Sequence, residues 1–490
     1  MTAVTQGIAA EAPSRRRFSV GGPVGRGEWL GVALITLVYL VVVLLSVRRG
    51  PPLGWDESVY ALRAGDFADG VAPHGYWDDY RAPGLPWLGH LWWIEGREAV
   101  MLRLLVAGFG LGLVGVTWLL TRHLFGRRAG LVAAAGVAVT PPLLLAATQV
   151  WPDVPGAAVG LLAIALFVFS TGGERPSWWI LSVVPVVAAA TYLRFGAPLP
   201  MAIGLAVLAF WRRRVLARGI APVAVTAVAA TAAVAVILQV PFLTGAGASP
   251  LRAIGRMGDG WFAGFADYAR LGLELLPAAV VLALVGAVAA WGFAGQGGID
   301  RGTLAAATAV GLATAAVIAI VLHGEVRYLA PAYPWLWIAG APGLDRLARA
   351  IPGRAGPVAA VLVLAALVAG AVGSAQERNR EASQSLLGLR RASEAIAEEA
   401  AGRPCMVMTG RLPQVMWYSG CDARLFNLRQ VRLPAIANGP SFLLFFEGDS
   451  REPEGALREA YLAEVGEALA VVEGFRDVVV YLVEAPPSGG

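Results

Sequence analysis

A chain of 490 residues that is 57% hydrophobic and 15% charged, with a mean hydropathy of +0.63, is too apolar for a soluble protein and matches a polytopic membrane protein. Its formal net charge of +5 comes entirely from arginine, because lysine is absent. Membrane proteins carry such an excess in their cytoplasmic loops, so the charge calls for no nucleic-acid partner.

Residues 1–27 are polar and rich in small residues, with Arg15-Arg16-Arg17, and read as a disordered cytoplasmic N-terminus. The apolar run from Trp29 to Val47 is long enough to span a bilayer core, which takes about 20 residues, and no small-x-small cleavage site follows it. Trp55-Asp56-Glu57 comes next and lies in a polar stretch, 48–98. There Asp56, Glu57, Asp66, Asp69, Asp78 and Asp79 sit among Trp55, Tyr60, Tyr76, Trp77 and Tyr80. An acidic pair just past a membrane exit, ahead of a polar and aromatic loop, is where a membrane enzyme would hold a base at the lipid–water boundary.

Further apolar runs lie at about 99–120, 129–147, 155–170, 178–193, 198–211, 219–241, 272–294, 303–322, 329–347 and 357–374. With the first they predict about eleven transmembrane helices within 28–374. Proline at Pro141-Pro142 and Pro185 is tolerable at depth only where neighbouring protein satisfies the freed backbone groups. The Trp92-Trp93 and Trp178-Trp179 pairs read as interface belts. With the N-terminus inside, alternate short loops hold Arg122, Arg127, Arg128, Arg175, Arg212, Arg213, Arg214, Arg218, Arg301, Arg346, Arg349 and Arg354, as the positive-inside rule requires. The loop after Asp56, the turns at Asp153 and Arg194, segment 242–271 and His323–Tyr328 then fall outside a plasma membrane.

Residues 375–490 change character. Gln376–Ala401 reads as a charged helix leading away from the membrane. Cys405–Thr409, Phe442–Phe446 and Val478–Val483 read as short buried strands, and Leu412–Tyr418 and Glu454–Val465 as helices. This alternation predicts a small extracytoplasmic α/β domain, large enough for its own core. Cys405 and Cys421 both lie in it, on the oxidising side. They would form a disulfide there or remain two buried thiols.

Four motifs in order resemble the GT-C glycosyltransferases. They are Trp55-Asp56-Glu57 with Tyr60; Arg81-Ala82-Pro83-Gly84-Leu85-Pro86; Trp151-Pro152-Asp153-Val154-Pro155; and His323-Gly324-Glu325-Val326-Arg327-Tyr328, followed by Pro331 and Pro334. The pattern is closest to family 39, the protein O-mannosyltransferases and the lipid A aminoarabinose transferase. Where some relatives have Lys-Gly after the fifth span, this chain has Leu193-Arg194-Phe195-Gly196, which keeps a cation.

The resemblance implies inverting transfer of a sugar from a polyprenyl-phosphate donor to an acceptor hydroxyl on the extracytoplasmic side. The acceptor would be protein, lipid or cell-wall glycan. Asp56 would be the general base, with Glu57 and Asp153 as further catalytic carboxylates. Arg327, Arg81 and Arg194 would hold the departing phosphate, for which a planar guanidinium is suited. Trp55, Tyr60, Tyr328, Glu325 and His323 would contact sugar or acceptor. No second histidine lies near His323 in sequence, so a histidine metal site is unsupported, while a divalent metal held by carboxylates stays open.

Each residue also has a structural reading. Asp56 or Asp153 would cap a helix, Glu57 would pair with an arginine, and Arg194 and Arg327 would anchor to lipid head groups. Two other functions compete with transfer. A flippase or transporter of a lipid-linked saccharide predicts internal repeats and ionisable groups at mid-membrane, and neither is evident. A non-catalytic scaffold leaves the convergence of four polar motifs unexplained.

Overall fold

The computed structural model describes residues 23–48, 50–71, 81–243, 266, 268, 277–295, 299–321, 325–353, 355–434, 436, 439–465, 467–473 and 477–483. Each apolar run contains a helix. α1 spans Arg26–Arg48. Two short helices, α2 (Trp55–Ala68) and α3 (Gly84–His90), precede α4 (Glu98–Phe125). Then follow α5 (Arg127–Ala138), α6 (Pro141–Ala147), α7 (Asp153–Ser170), α8 (Val183–Leu193), α9 (Pro198–Trp211), the single turn α10 (Arg213–Leu216), α11 (Ile220–Leu243), α12 (Ala278–Gly292), α13 (Arg301–Val321), α14 (Tyr333–Ala350) and α15 (Ala355–Ala400).

Among the described residues six helices are long and apolar enough to cross a membrane: α1, α4, α7, α11, α13 and α15. α5 and α6, bent by 63°, make a seventh if taken as one span. The others lying on apolar runs are shorter or, like α14, end in charge: Asp345, Arg346 and Arg349 occupy its last turns.

The bend between α5 and α6 has a local cause. Pro141 and Pro142 supply no N–H to the ladder, so the helix restarts at Pro141. Thr140 compensates. Its hydroxyl donates to the Gly136 carbonyl at 2.8 Å and accepts from the Trp337 indole of α14 at 2.9 Å. The neighbouring helix thus stabilises the break, as proline at depth requires. α14 is buried because α12 crosses it at small residues. A Cβ on Gly340 or Gly343 would collide with the carbonyls of Ala283 or Gly286. The exposed leucines of α1, among them Leu30, Leu34 and Leu37, suit a lipid-facing surface.

α15 is 46 residues long and runs without a break from the last apolar segment into the soluble domain. The boundary expected at 374/375 therefore falls inside one helix. Beyond it, β1 (Met406–Thr409), β2 (Asp422–Arg424), β3 (Ser441–Phe446), β4 (Ala468–Val472) and β5 (Val478–Val483) form one sheet in the order β2-β1-β3-β5-β4. The first three strands are parallel, and β5 runs antiparallel to both β3 and β4. Helices α16 (Leu412–Ser419) and α17 (Gly455–Ala463) complete the domain.

The three anticipated strands are all present. β2 and β4 are additional: one has three residues and the other is largely exposed, so neither carries a buried-strand signal. Cys405 and Cys421 are bonded, with Cα atoms 4.9 Å apart, and tie the starts of the parallel strands β1 and β2.

Candidate active site

Asp56 and Glu57 occupy the first turn of α2, where a carboxylate is favoured by the helix dipole. Adjacent positions on a helix point about 100° apart, so the two meet different surroundings. Glu57 is 2% exposed. It receives Nε and Nη2 of Arg103, each at 2.9 Å, the backbone N–H of Val150 at 2.9 Å and that of Gly54 at 3.2 Å. Those four donors engage both oxygens and join α2, α4 and the turn before α7. Glu57 is thus enclosed, in the arrangement expected of an arginine's partner.

Asp56 faces the other way. One oxygen accepts from Arg81 Nη2 at 2.5 Å and the other from Arg327 Nη2 at 2.7 Å, while a quarter of the side chain stays exposed. Burial alone would raise its carboxyl, but the two guanidiniums outweigh burial and hold it below the ordinary aspartate range. Arg63, itself buried, donates to the Arg81 carbonyl at 3.1 Å and so fixes the backbone at Arg81. Immediately after it, a Cβ on Gly84 would collide with the Tyr192 carbonyl at the end of α8, so this turn requires glycine.

Arg327 lies in the 3₁₀ turn Val326–Leu329. Its guanidinium sits 4.3 Å from the ring of Trp151 and 5.2 Å from that of Tyr328, and Glu325 pairs with it at 2.5 Å. Burial works against its charge, yet Asp153, Asp56 and Glu325 together hold it firmly protonated. Tyr328 is pushed up to about 12, chiefly by burial, and keeps its proton at neutral pH. Its ring also lies 5.5 Å from Arg194, which pairs with Asp153 at 2.8 Å. Asp153 is the first residue of α7, one past the N-cap Pro152, and makes no capping hydrogen bond; its carboxylate pairs with Arg194 instead. Tyr60 is buried on α2, within electrostatic reach of Asp56, Arg81 and Asp153.

The structure thus brings Asp56, Asp153, Arg81, Arg194, Arg327, Glu325, Tyr60 and Tyr328 together. Trp55 is placed elsewhere: it packs against the C-terminal domain under Arg451 and does not line the site. His323 lies outside the described residues, as do 1–22, 72–80 and most of 242–271. Among the described residues no group of three or more His, Cys, Asp or Glu side chains is placed to hold a metal ion.

Sequence reasoning missed Arg63, Arg103 and Trp151. Arg103 carried a readable signal, since an arginine inside the apolar run 99–120 needs a partner. In sequence Trp151 is only a neighbour of Asp153, and nothing local shows that it underlies a residue 176 positions later.

Chemically, two guanidiniums hold a carboxylate that opens partly to solvent, and a third, that of Arg194, pairs with Asp153 close by. Such a site can hold an anionic ester of phosphate and present a base beside it.

A family model described as dolichyl-phosphate-mannose-protein mannosyltransferase matches residues 80–239. A search of curated proteins finds no matching sequence. Among solved structures, ArnT from Cupriavidus metallidurans in the apo state is similar over 93% of this chain and 98% of its own, at 18% identity and a TM-score of 0.58. The same protein bound to undecaprenyl phosphate is similar over 95% and 100%, at 17% identity and a TM-score of 0.58. The oligosaccharyltransferase of Archaeoglobus fulgidus, in complex with Zn and sulfate, is similar over 79% of this chain and 62% of its own, at 16% identity and a TM-score of 0.52. These likenesses establish a shared fold.

Proposed function

We propose that this chain, a membrane glycosyltransferase of the GT-C type, transfers a sugar from a polyprenyl-phosphate donor to an acceptor hydroxyl, with inversion, on the extracytoplasmic side. The ArnT structure with undecaprenyl phosphate and the Archaeoglobus fulgidus AglB structure with a dolichol-phosphate support a polyprenyl phosphate as the carrier class. The arginine asymmetry between alternate loops supports the orientation.

The observation that carries the reading is the clamp on Asp56: a partly exposed carboxylate held between Arg81 and Arg327, with the Arg194–Asp153 pair alongside. In the reaction Asp56 takes the acceptor's hydroxyl proton, the oxygen attacks the anomeric carbon, and the bond from that carbon to the phosphate oxygen breaks. The phosphate leaves with the electron pair, and Arg327 and Arg194 hold the charge that collects there. Tyr328, between those arginines, and Tyr60 supply ring and hydroxyl to the bound groups. In the resting structure Arg81 and Arg327 lower the proton affinity of Asp56. A donor phosphate that takes over part of Arg327 relaxes that hold, so the base strengthens when the donor is in place. Glu57, through Arg103 and Val150, positions the first turn of α2.

The test is turnover of a labelled polyprenyl-phosphate sugar by the purified protein. Acceptor-dependent release of free lipid phosphate with an inverted product is the expected result. Movement of the donor between leaflets without bond cleavage would assign transport instead.

A further inference from the structure

At the far end of α9 from Arg194, about 20 Å along a 14-residue helix, lies a cavity of about 220 Å³. It is lined by Trp211, Arg212, Arg214, Val215 and Asp300. Arg212 is buried and stacks on Trp211, with its guanidinium 4.1 Å from the ring. Arg213 turns away onto Phe210, and Arg214 is exposed at the rim. Asp300 is the one carboxylate of the lining, and one of its oxygens is already engaged. It accepts from the Thr303 N–H at 2.7 Å and the Thr303 hydroxyl at 2.8 Å, at the start of α13. Two guanidiniums against one capping carboxylate leave the cavity net positive. α9, whose last residue Trp211 lines the cavity, is apolar and leaves Phe210 exposed.

We infer that this cavity binds the phosphate of an anionic membrane lipid, held by Arg212 and Arg214 beside the Trp211 indole. A guanidinium fork suits a phosphate, and Trp211 fixes the plane of Arg212. The volume accommodates a phosphate with a short polar headgroup, since water alone occupies about 30 Å³ per molecule. The apolar helix α9, exposed at Phe210, favours a lipid over a soluble phosphate, because acyl chains would run along it. Under the orientation proposed above, the lipid belongs to the cytoplasmic leaflet. The site is independent of sugar transfer and is tested without it.

The full-length protein in neutral detergent is titrated with phosphatidylglycerol or phosphatidylcholine in mixed micelles. The thermal midpoint and lipid retention in native mass spectrometry are read. Phosphatidylglycerol, and not phosphatidylcholine, should raise the midpoint and remain as a one-to-one adduct. Arg214→Ala, at an exposed position that the fold tolerates, should weaken that binding by about tenfold, the loss of one charge-assisted contact. Arg218→Ala, outside the lining, should change it by less than about twofold. An unaltered response in Arg214→Ala overturns the assignment. So does an equal loss in Arg218→Ala, which would mark surface charge alone. Equal stabilisation by inorganic phosphate overturns the lipid.

Discussion

The guanidinium of Arg451, in the soluble domain, lies 4.0 Å from the ring of Trp55, the residue immediately before Asp56. Arg451 is tied to Asp449 at 3.2 Å, and Asp449 also pairs with Arg411 at 2.6 Å. These three residues sit just past the ends of β1 and β3. Nearby, Tyr418 of α16 accepts from the Leu53 N–H at 2.5 Å, and Val59 of α2 belongs to the soluble domain's core. α2 is therefore held on one face by the membrane bundle and on the other by the C-terminal domain. Trp55→Ala should loosen that docking by roughly 2 kcal/mol, from lost ring burial and the cation–π contact. The expected readouts are faster hydrogen exchange in α2 and slower turnover, with Trp55→Phe close to wild type. Unchanged exchange in α2 would show that the domain does not hold the helix.

Asp56 and Glu57 should separate cleanly on mutation. Asp56→Asn keeps the shape but cannot accept a proton, so turnover should fall at least about a hundredfold. Donor affinity should hold or tighten, because Arg81 and Arg327 lose a competing partner. Glu57→Gln instead leaves Arg103 buried without its counter-charge. Breaking such a pair costs about 3–5 kcal/mol, so the thermal midpoint should drop while turnover per folded molecule changes less. Thermal unfolding and single-turnover kinetics on both variants decide. A stable but inactive Glu57→Gln would return that residue to the chemistry.

Arg327→Ala should weaken binding of polyprenyl phosphate by a few kcal/mol, since charge-assisted contacts out of water are the strong ones. Arg327→Lys should recover only part of this. An ammonium lacks the fork that reaches Asp56 and the flat face that lies against Trp151. The measurement is equilibrium binding of the labelled lipid. Wild-type affinity and turnover in Arg327→Ala would make this residue an anchor and misplace the site.

Glu452 ties β3 to the turn after β1, accepting from Phe446 N–H at 2.8 Å and from Gly410 N–H at 3.4 Å. Burial raises its carboxyl to about 8, with neighbouring Asp449 adding to the rise. A folded value above the unfolded one of about 4.3 means the contribution is complete below pH 4 and is lost as pH rises towards 8. The thermal midpoint should therefore fall between about pH 5 and 8 and level off above. Glu452→Gln should flatten that slope. A flat profile in the wild-type protein would show that Glu452 ionises normally. Asp56 works in the opposite sense, its contribution being present at neutral pH and lost only in acid.

The sequence alone determined where the helices of the membrane part lie, because bilayer-length apolar runs leave the backbone no other way to satisfy its hydrogen bonds. It also set apart the soluble domain, whose strands β1, β3 and β5 are short and apolar, the first two buried throughout. It marked the four polar motifs from which Asp56, Arg81, Asp153 and Arg327 come. What it left undecided was the direction each neighbour faces and whom it meets. Asp56, Glu57 and Trp55 are consecutive, yet one meets Arg327 from 271 residues away, one meets Arg103 from 46 away, and one packs under Arg451. A helix turns each successive side chain by about 100°, so three adjacent residues face three surroundings. Only the packing of distant segments around α2 decides which carboxylate stays partly open and which is sealed inside.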